Sequence, residues 1–190
     1  MKKKLLILTA AMSFVFAGSA LALTKDEYKA SMTKVSADYK ASKTSCSALK
    51  ANAKDICMSE AKGMEKVAKA ELESQYKPSA KNTEKLAMAK GDAAYDTAKE
   101  KCDDLAGNAK DVCVKDAKAA HVKANEDAKV GKVSADTTKD KNAKVMEAKK
   151  DASTEKREAD YKAAAERCDS LSGASKDSCV MAAKTQFGMK

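Results

Sequence analysis

The sequence contains no tryptophan, one proline, one histidine and few aromatic residues, which make up 4% of its 190 residues. Large apolar side chains are also scarce: Leu, Ile, Val and Phe form about a tenth of residues 23–190, half the level below which disorder is expected. So little apolar volume cannot fill an ordinary compact core. With a single histidine, the sequence also shows no pattern typical of a catalytic site in which histidine activates a nucleophile. The composition therefore argues against compact enzyme folds, and we expect no catalytic residue, no cofactor and no metal site.

The residues that are abundant point to helices. Ala, Lys, Glu, Leu and Arg together form about half of residues 23–190, a composition typical of long helices and coiled coils. We therefore predict an all-α fold. The formal net charge is +9, and about +6 remains without Lys2, Lys3 and Lys4. This mild excess permits attraction to anionic polymers without requiring it.

The N-terminus has the layout of a cleavable secretory signal over residues 1–22. Three lysines precede the apolar segment Leu5 to Ala17, and Ala20-Leu21-Ala22 matches a small-residue cleavage site. We expect cleavage between Ala22 and Leu23, which indicates a Gram-negative periplasm and no stable membrane insertion afterwards. The alternative is an uncleaved anchor, because Leu5 to Leu23 is long enough to span a bilayer.

All six cysteines fall into three pairs with identical spacing, which defines an internal triplication. Each pair encloses ten residues, and a tyrosine stands seven residues before the first cysteine of each pair. The pairs are Cys46 with Cys57, Cys102 with Cys113, and Cys168 with Cys179.

Each pair is predicted to form the tip of an antiparallel helical hairpin. Apolar residues before the first pair follow a heptad pattern; with Ser42 at one position, they are Tyr28, Met32, Val35, Tyr39, Cys46 and Leu49. Tyr95, Ala98, Cys102 and Leu105 continue this seam in the second repeat, and Tyr161, Ala164, Cys168 and Leu171 in the third. The returning helices are expected to turn small residues inward, at positions that include Ala61, Met64, Ala120 and Ala128.

The residues between the cysteines resemble a helix end followed by a helix start. Gly107 and Gly173 occupy the position of a left-handed residue after a helix. Asn52 and Asn108 then resemble N-caps, and Asp55 and Asp111 would lie in the first turn. His121 is expected on a solvated helix face.

Local pairing of the cysteines is favoured among the fifteen pairings that six cysteines allow. Both cysteines of a pair lie about one turn from the tip on facing sides, and the motif occurs three times. A loop of this size contributes about 3 kcal/mol in the chain-entropy estimate. The spacing fits neither a redox C-x-x-C motif nor a zinc site.

The predicted boundaries follow the few helix breakers. Thr24 to Glu27 form a capping box that opens the first helix, Pro78 separates hairpins one and two, and Gly131 precedes the second junction. The hairpins then span 23–77, 78–131 and, with a polar linker or long helix, 132–190. For residues 139–158 we favour a long helix over disorder. Whether the hairpins pack together or form an elongated string stays open.

The signature Cys-Asp-x-Leu-x-Gly-Asn-Ala-Lys-Asp-Val-Cys, clearest at Cys102 to Cys113, resembles a group of secreted Ala/Lys-rich proteins of Gram-negative bacteria. These are often labelled TolA-like cell-envelope biogenesis proteins, and the resemblance covers residues 23–190. The similarity to TolA itself is limited to its Ala/Lys/Glu-rich helical stalk. The resemblance implies a cell-envelope location and assigns no functional residue.

These features favour a non-enzymatic periplasmic repeat protein that acts as a structural or interaction module of the cell envelope. The alternatives are a binder of anionic envelope polymers, such as lipopolysaccharide or peptidoglycan, and a holdase-type chaperone. Nucleic acid is a poor candidate partner, because three tyrosines occupy seam positions and few aromatics remain for stacking. The partner is thus an envelope protein or an anionic polymer, and a homo-oligomer stays open because a second chain could complete an alanine seam.

Overall fold

The computed structural model describes residues 22–135 and 140–190, and these residues form an all-α structure, as predicted. The helices are α1 (Lys25–Cys46), α2 (Ala51–Tyr76), α3 (Ala80–Cys102), α4 (Gly107–Ser134), α5 (Lys141–Arg167) and α6 (Gly173–Phe187). A short 3-10 turn (Cys168–Ser170) precedes α6. The predicted signal segment lies outside the described residues, except Ala22.

Each helix packs on the helices that precede and follow it in the sequence. The pairs α1/α2, α3/α4 and α5/α6 form the three predicted hairpins, and each is closed by its local disulfide. The pairs α2/α3 and α4/α5 join consecutive hairpins. The hairpins therefore pack side by side in one row of helices, which settles a point that the sequence left open.

The interior of this row consists of small side chains. The buried apolar residues are all alanine or cysteine; they are Cys46, Ala61, Ala89, Cys102, Ala119, Ala128, Ala152, Ala163, Cys168 and Ala183. Where α2 meets α3, a Cβ added to Gly63 would lie 2.8 Å from the Cβ of Ala93. Such close helix packing buries little area per residue, so at about 25 cal/mol per Å² it stabilises the row only modestly.

The helix boundaries agree with most of the predicted breaks. The Thr24 hydroxyl accepts a hydrogen bond from the Glu27 backbone N–H, and the Glu27 carboxylate accepts one from the Thr24 N–H, which confirms the capping box. The helical structure is interrupted around Pro78, between α2 and α3. Residues 141–158 belong to α5, so the long helix is confirmed for the described part of that segment.

The predicted caps at the tips are wrong. Lys50 and Ala106 occupy the N-cap positions of α2 and α4, and neither side chain makes a capping hydrogen bond. Gly107 is left-handed, as predicted, but it is the first residue of α4 rather than the residue that ends α3. Asp55 and Asp111 consequently lie beyond the first turn of their helices. Both helices start two residues earlier than the asparagines suggested, because the left-handed residue itself opens the helix.

The predicted seam is confirmed up to the first cysteine of each repeat, is wrong at the leucine that follows, and holds at only some positions of the returning helices. In α1 the seam residues from Tyr28 to Ser42 are partly buried and Cys46 is fully buried. Leu49, which follows the end of α1, is exposed. On the returning helices Ala61 is buried, but Met64 is 62% exposed and Ala120 is also exposed. The returning helices α2 and α4 have neighbours on both sides, so their buried positions divide between two strips.

Candidate functional site

The three tips form the most regular feature of the surface. In the first two, the disulfide joins the last residue of one helix to the second turn of the next; in the third, Cys168 begins the 3-10 turn after α5. The Cα–Cα distances are 5.5, 5.7 and 5.7 Å. The first cysteine of each pair has at most 1% of its surface exposed. The predicted pairs are therefore all formed, and each locks its turn on the end of the hairpin.

One leucine occupies the same place in every tip. The backbone N–H of Leu49, Leu105 and Leu171 each donates to the carbonyl of the preceding cysteine, at 3.0 Å in all three repeats. Their side chains are 43%, 44% and 43% exposed. A turn held by the same bond and the same disulfide thus presents an identical apolar group three times.

A lysine and an aspartate also recur in each tip, before the second cysteine. In the second repeat Lys110 pairs with Asp103 at 2.9 Å, and in the third Lys176 pairs with Asp169 at 3.0 Å. These two acidic partners follow the first cysteine and differ from the recurring aspartate; the first repeat has Ser47 at their position. The ion pairs are solvent-exposed, so each contributes little stability, but they cancel the recurring positive charge at two of the three tips.

Two asparagines hold neighbouring tips in register. The Asn52 side chain on α2 donates to the carbonyl of Glu100 at the end of α3, at 2.8 Å. In the same way Asn108 on α4 donates to the carbonyl of Glu166 at the end of α5, at 2.9 Å. These residues, predicted as caps of their own helices, instead bind the next hairpin. Because each bond joins the tip of one hairpin to that of the next, the three leucines lie along one edge of the row.

A second cluster lies inside the row, between α2, α3 and α4. The Asp92 carboxylate accepts hydrogen bonds from Lys66 Nζ at 2.6 Å and from His121 Nε2 at 2.6 Å. The His121 ring stacks on Tyr95, with ring centroids 4.7 Å apart, and the Asn125 amide lies 3.1 Å from its Nε2. His121 is only 14% exposed, so its predicted place on a solvated face is wrong.

The electrostatics of this cluster favour an ionised Asp92. Partial burial raises the pKa of Asp92, but the hydrogen bonds and charges of Lys66 and His121 outweigh it and hold the pKa below 3.8, the usual value. With Nε2 donating to the carboxylate, the accepting nitrogen of a neutral His121 is Nδ1, which is buried without a protein partner.

An Asp–His pair can orient a general base, yet this one is closed to substrate. The free nitrogen of His121 faces the interior. The contacts of the ring join α4 to α3, and Lys66 on Asp92 extends the cluster to α2. Among residues 22–135 and 140–190, no three His, Cys, Asp or Glu side chains form a group that could hold a metal ion. The cluster is therefore a structural tie between hairpins one and two.

The larger depressions on the described surface are open grooves between helices. One between α2 and α3 is lined mainly by small and apolar side chains and has a volume of about 490 Å³; its lining includes Gly63, Met64, Val67, Ala68 and Ala93. Over the described ranges, no helix is both long and apolar enough to cross a membrane.

Sequence reasoning identified the cysteines and missed the leucines and the asparagine bonds. One available signal was the repeat itself. Within the twelve-residue tip, apart from the cysteines, the leucine, lysine and aspartate recur in all three copies, although the surrounding residues vary. No family model, curated protein or solved structure matches the chain.

Proposed function

We propose that this chain is a non-enzymatic, extracytoplasmic repeat protein that serves as a structural and interaction module of the bacterial cell envelope. Its contact surface is the tip edge, defined as the edge of the row that carries Leu49, Leu105 and Leu171. The observation that carries the proposal is the repetition of one exposed leucine, in one disulfide-locked turn, along that edge.

Rigidity makes the tip edge suitable for recognition. The turn is fixed by a backbone bond and a disulfide, so little conformational entropy is lost when a partner covers the leucine. The three leucines also lie in a fixed order, because the Asn52 and Asn108 bonds align consecutive tips. A partner with several apolar pockets can therefore engage two or three tips at once and gain avidity.

The disulfides and the N-terminal segment support the compartment. All six cysteines are paired, and disulfides persist mainly in oxidising compartments. The predicted signal at residues 1–22 leads to the same place. The periplasm of a Gram-negative bacterium fulfils both conditions.

An envelope protein is a better partner for the tip edge than an anionic polymer. Asp103, Asp104 and Asp169 place carboxylates beside Leu105 and Leu171, and two of the recurring lysines are neutralised by ion pairs. Such an edge does not attract phosphate or carboxylate polymers. The excess positive charge lies elsewhere on the helices, so polymer binding would be a separate and salt-sensitive property.

The test is co-sedimentation of the oxidised protein with envelope fragments, purified sacculi and lipopolysaccharide vesicles, at low and moderate salt. The key variant replaces Leu49, Leu105 and Leu171 with alanine. Its control replaces Met64 and Met146, which are 62% and 73% exposed away from the tips, and so removes apolar surface elsewhere.

We expect the protein to sediment with protein-containing envelope fragments at both salt concentrations, and the triple leucine variant to lose this binding. The methionine control should bind as the wild type does. Binding to sacculi or lipopolysaccharide that fades with salt and ignores the leucines would favour the polymer binder. Suppression of client aggregation without any sedimentation would favour the holdase.

A further inference from the structure

The row of helices ends at α1 on one side and at α6 on the other. α1 packs on α2 and α6 packs on α5. The helices α3 and α5, which are the repeats of α1, have a second neighbour, namely the returning helix of the preceding hairpin. The outer face of α1, which points away from α2, therefore corresponds to the face of α3 that packs on α2 and to the face of α5 that packs on α4.

The two internal seams show what covers this face. Gly63 of α2 lies against Ala93 of α3, and its counterpart in the next repeat, Ala119 of α4, is 5% exposed. Both seams carry the same ion pair and the same asparagine bond. The ion pairs are Glu60 with Lys101 and Asp116 with Arg167. The asparagine bonds join Asn52 to the Glu100 carbonyl and Asn108 to the Glu166 carbonyl.

At the ends of the row, the counterparts of these residues are small or uncharged, and they are exposed. On α1 they are Ala30, Thr33, Ala37, Ala41, Thr44 and Ser45. On α6 they are Ala174, Ser178, Met181, Ala182 and Thr185, of which Met181 is 68% exposed. Ser45 and Ala182 replace the ion pair of the internal seams, so neither end carries an unpaired charge at this position.

We propose that copies of this chain associate head to tail, with the outer face of α6 on the outer face of α1 of a second copy. The contact continues the α2/α3 and α4/α5 seams, with Thr185 facing Ala37 where Gly63 faces Ala93. Because the two faces differ, the interface is heterologous, and further copies can add to each free end.

The association is weak and depends on concentration. α6 has 15 residues, against 26 in α2 and 28 in α4, so it covers about half of the face. Ala174 stands where Asn52 and Asn108 supply their bonds, which leaves the Thr44 carbonyl without this donor. Thr185 is also larger than glycine or alanine at the point of closest approach.

The test is sedimentation velocity of the oxidised protein, purified as cells produce it, from micromolar to millimolar concentration. Ala174→Asn should tighten the association about three- to tenfold, the effect of one added hydrogen bond. Ala37→Lys and Thr185→Lys should each abolish the formation of chains. Ala94→Lys, which changes an exposed alanine in the middle of α3, serves as the control and should associate like the wild type.

Mixing the two blocked variants distinguishes this geometry from any other. Ala37→Lys keeps an intact α6 face and Thr185→Lys an intact α1 face, so an equimolar mixture should form dimers and nothing larger. Monomers at every concentration, for both wild type and Ala174→Asn, would overturn the proposal. So would association that survives both lysine substitutions, or a mixture that behaves like its separate components. Circular dichroism confirms that each variant is folded, and the tip leucines are unchanged throughout.

Discussion

The first residue of the second helix in each hairpin has a left-handed backbone. Gly107 and Gly173 have φ values of +55° and +53°, and their counterpart in the first repeat is Ala51, with φ +49°. A left-handed conformation costs an L-residue about 1–2 kcal/mol, whereas glycine adopts it freely. The first tip therefore contains strain that the other two lack.

Ala51→Gly should stabilise the protein by about 0.5–1 kcal/mol, the relief of strain less the extra chain entropy of glycine. Gly107→Ala should destabilise it by about 1 kcal/mol, and through the backbone alone, because an added Cβ meets no atom within 4 Å. Urea unfolding followed by circular dichroism measures both.

Gly131 is the matched control. It lies within α4, its φ is not positive, and a Cβ added there also meets no atom within 4 Å. Gly131→Ala should therefore stabilise the protein, by about 1 kcal/mol. Equal signs for Gly107→Ala and Gly131→Ala would contradict the left-handed assignment.

The asparagine bonds between hairpins give a second test at the residue scale. Asn108→Ala removes the bond to the Glu166 carbonyl and should cost about 1 kcal/mol. Ala109→Ser, at an exposed neighbouring position, should have little effect. The measurement is hydrogen exchange at the end of α5, where amides should lose protection in Asn108→Ala only. Unchanged exchange in that variant would show that the bond does not hold the hairpins in register.

The cluster around Asp92 predicts a pH dependence. Because its pKa is lower in the folded protein than in the unfolded chain, its stabilising contribution is complete above the unfolded value near 3.8 and is lost as the pH falls through the folded value. Asp92→Asn should thus lower the Tm at pH 7, and this difference should narrow below about pH 4.

Asp104→Asn, at an exposed carboxylate on the second tip, is the control and should follow the wild type throughout. Thermal melts between pH 7 and pH 2.5 make the comparison. A Tm difference between wild type and Asp92→Asn that stays constant with pH would mean that Asp92 is not ionised in the fold.

At the scale of helices, the disulfides replace the large apolar side chains that the sequence lacks. Removal of the middle bond in Cys102→Ser/Cys113→Ser should cost about 3 kcal/mol. The ends of α3 and α4 at the tip should then exchange amide hydrogens faster and be cleaved by protease. Wild-type protease resistance in this variant would contradict a stapling role.

The position of the bond in the row decides how far the damage spreads. Cys168→Ser/Cys179→Ser removes the bond at the end of the row, where α6 has α5 as its neighbour. Loss of protection should there be confined largely to α6, whereas the middle variant should also loosen the adjoining α2 and α5. Hydrogen exchange resolved by peptide compares the two variants.

The helices, the hairpins and the disulfide pairs could be predicted from the sequence, because composition, cysteine spacing and the heptad pattern all concern residues that are close together along the chain. The heptad pattern failed at Leu49, since it does not register that α1 ends at Cys46 and that the leucine lies in the following turn. It also failed at Met64, because a strip of alanines does not reveal how many neighbours a helix has. The Asn52 and His121 contacts connect residues far apart in sequence, and no local pattern encodes them.

At the scale of the whole molecule, the interleaved positive and negative side chains form ion pairs between adjacent helices of the row. Lys66 pairs with Asp92, Lys123 with Asp160 and Lys132 with Glu84, each across two adjacent helices. Each of these surface pairs adds little to the free energy of unfolding, but together they select one lateral arrangement of the hairpins. The result is a single layer of helices with three disulfide-locked leucines along one edge.

Site-directed photo-crosslinking tests whether the tip edge is the contact surface. A benzophenone side chain replaces Leu49, Leu105 or Leu171 in turn, or Met64 or Met146 as exposed controls away from the tips, and the oxidised protein is irradiated with envelope fractions. We expect the three tip positions to give one common adduct, suppressed by excess wild-type protein, and the two controls to give none. Adducts from the methionine positions alone, or equal labelling at all five, would contradict the tip edge as the contact surface.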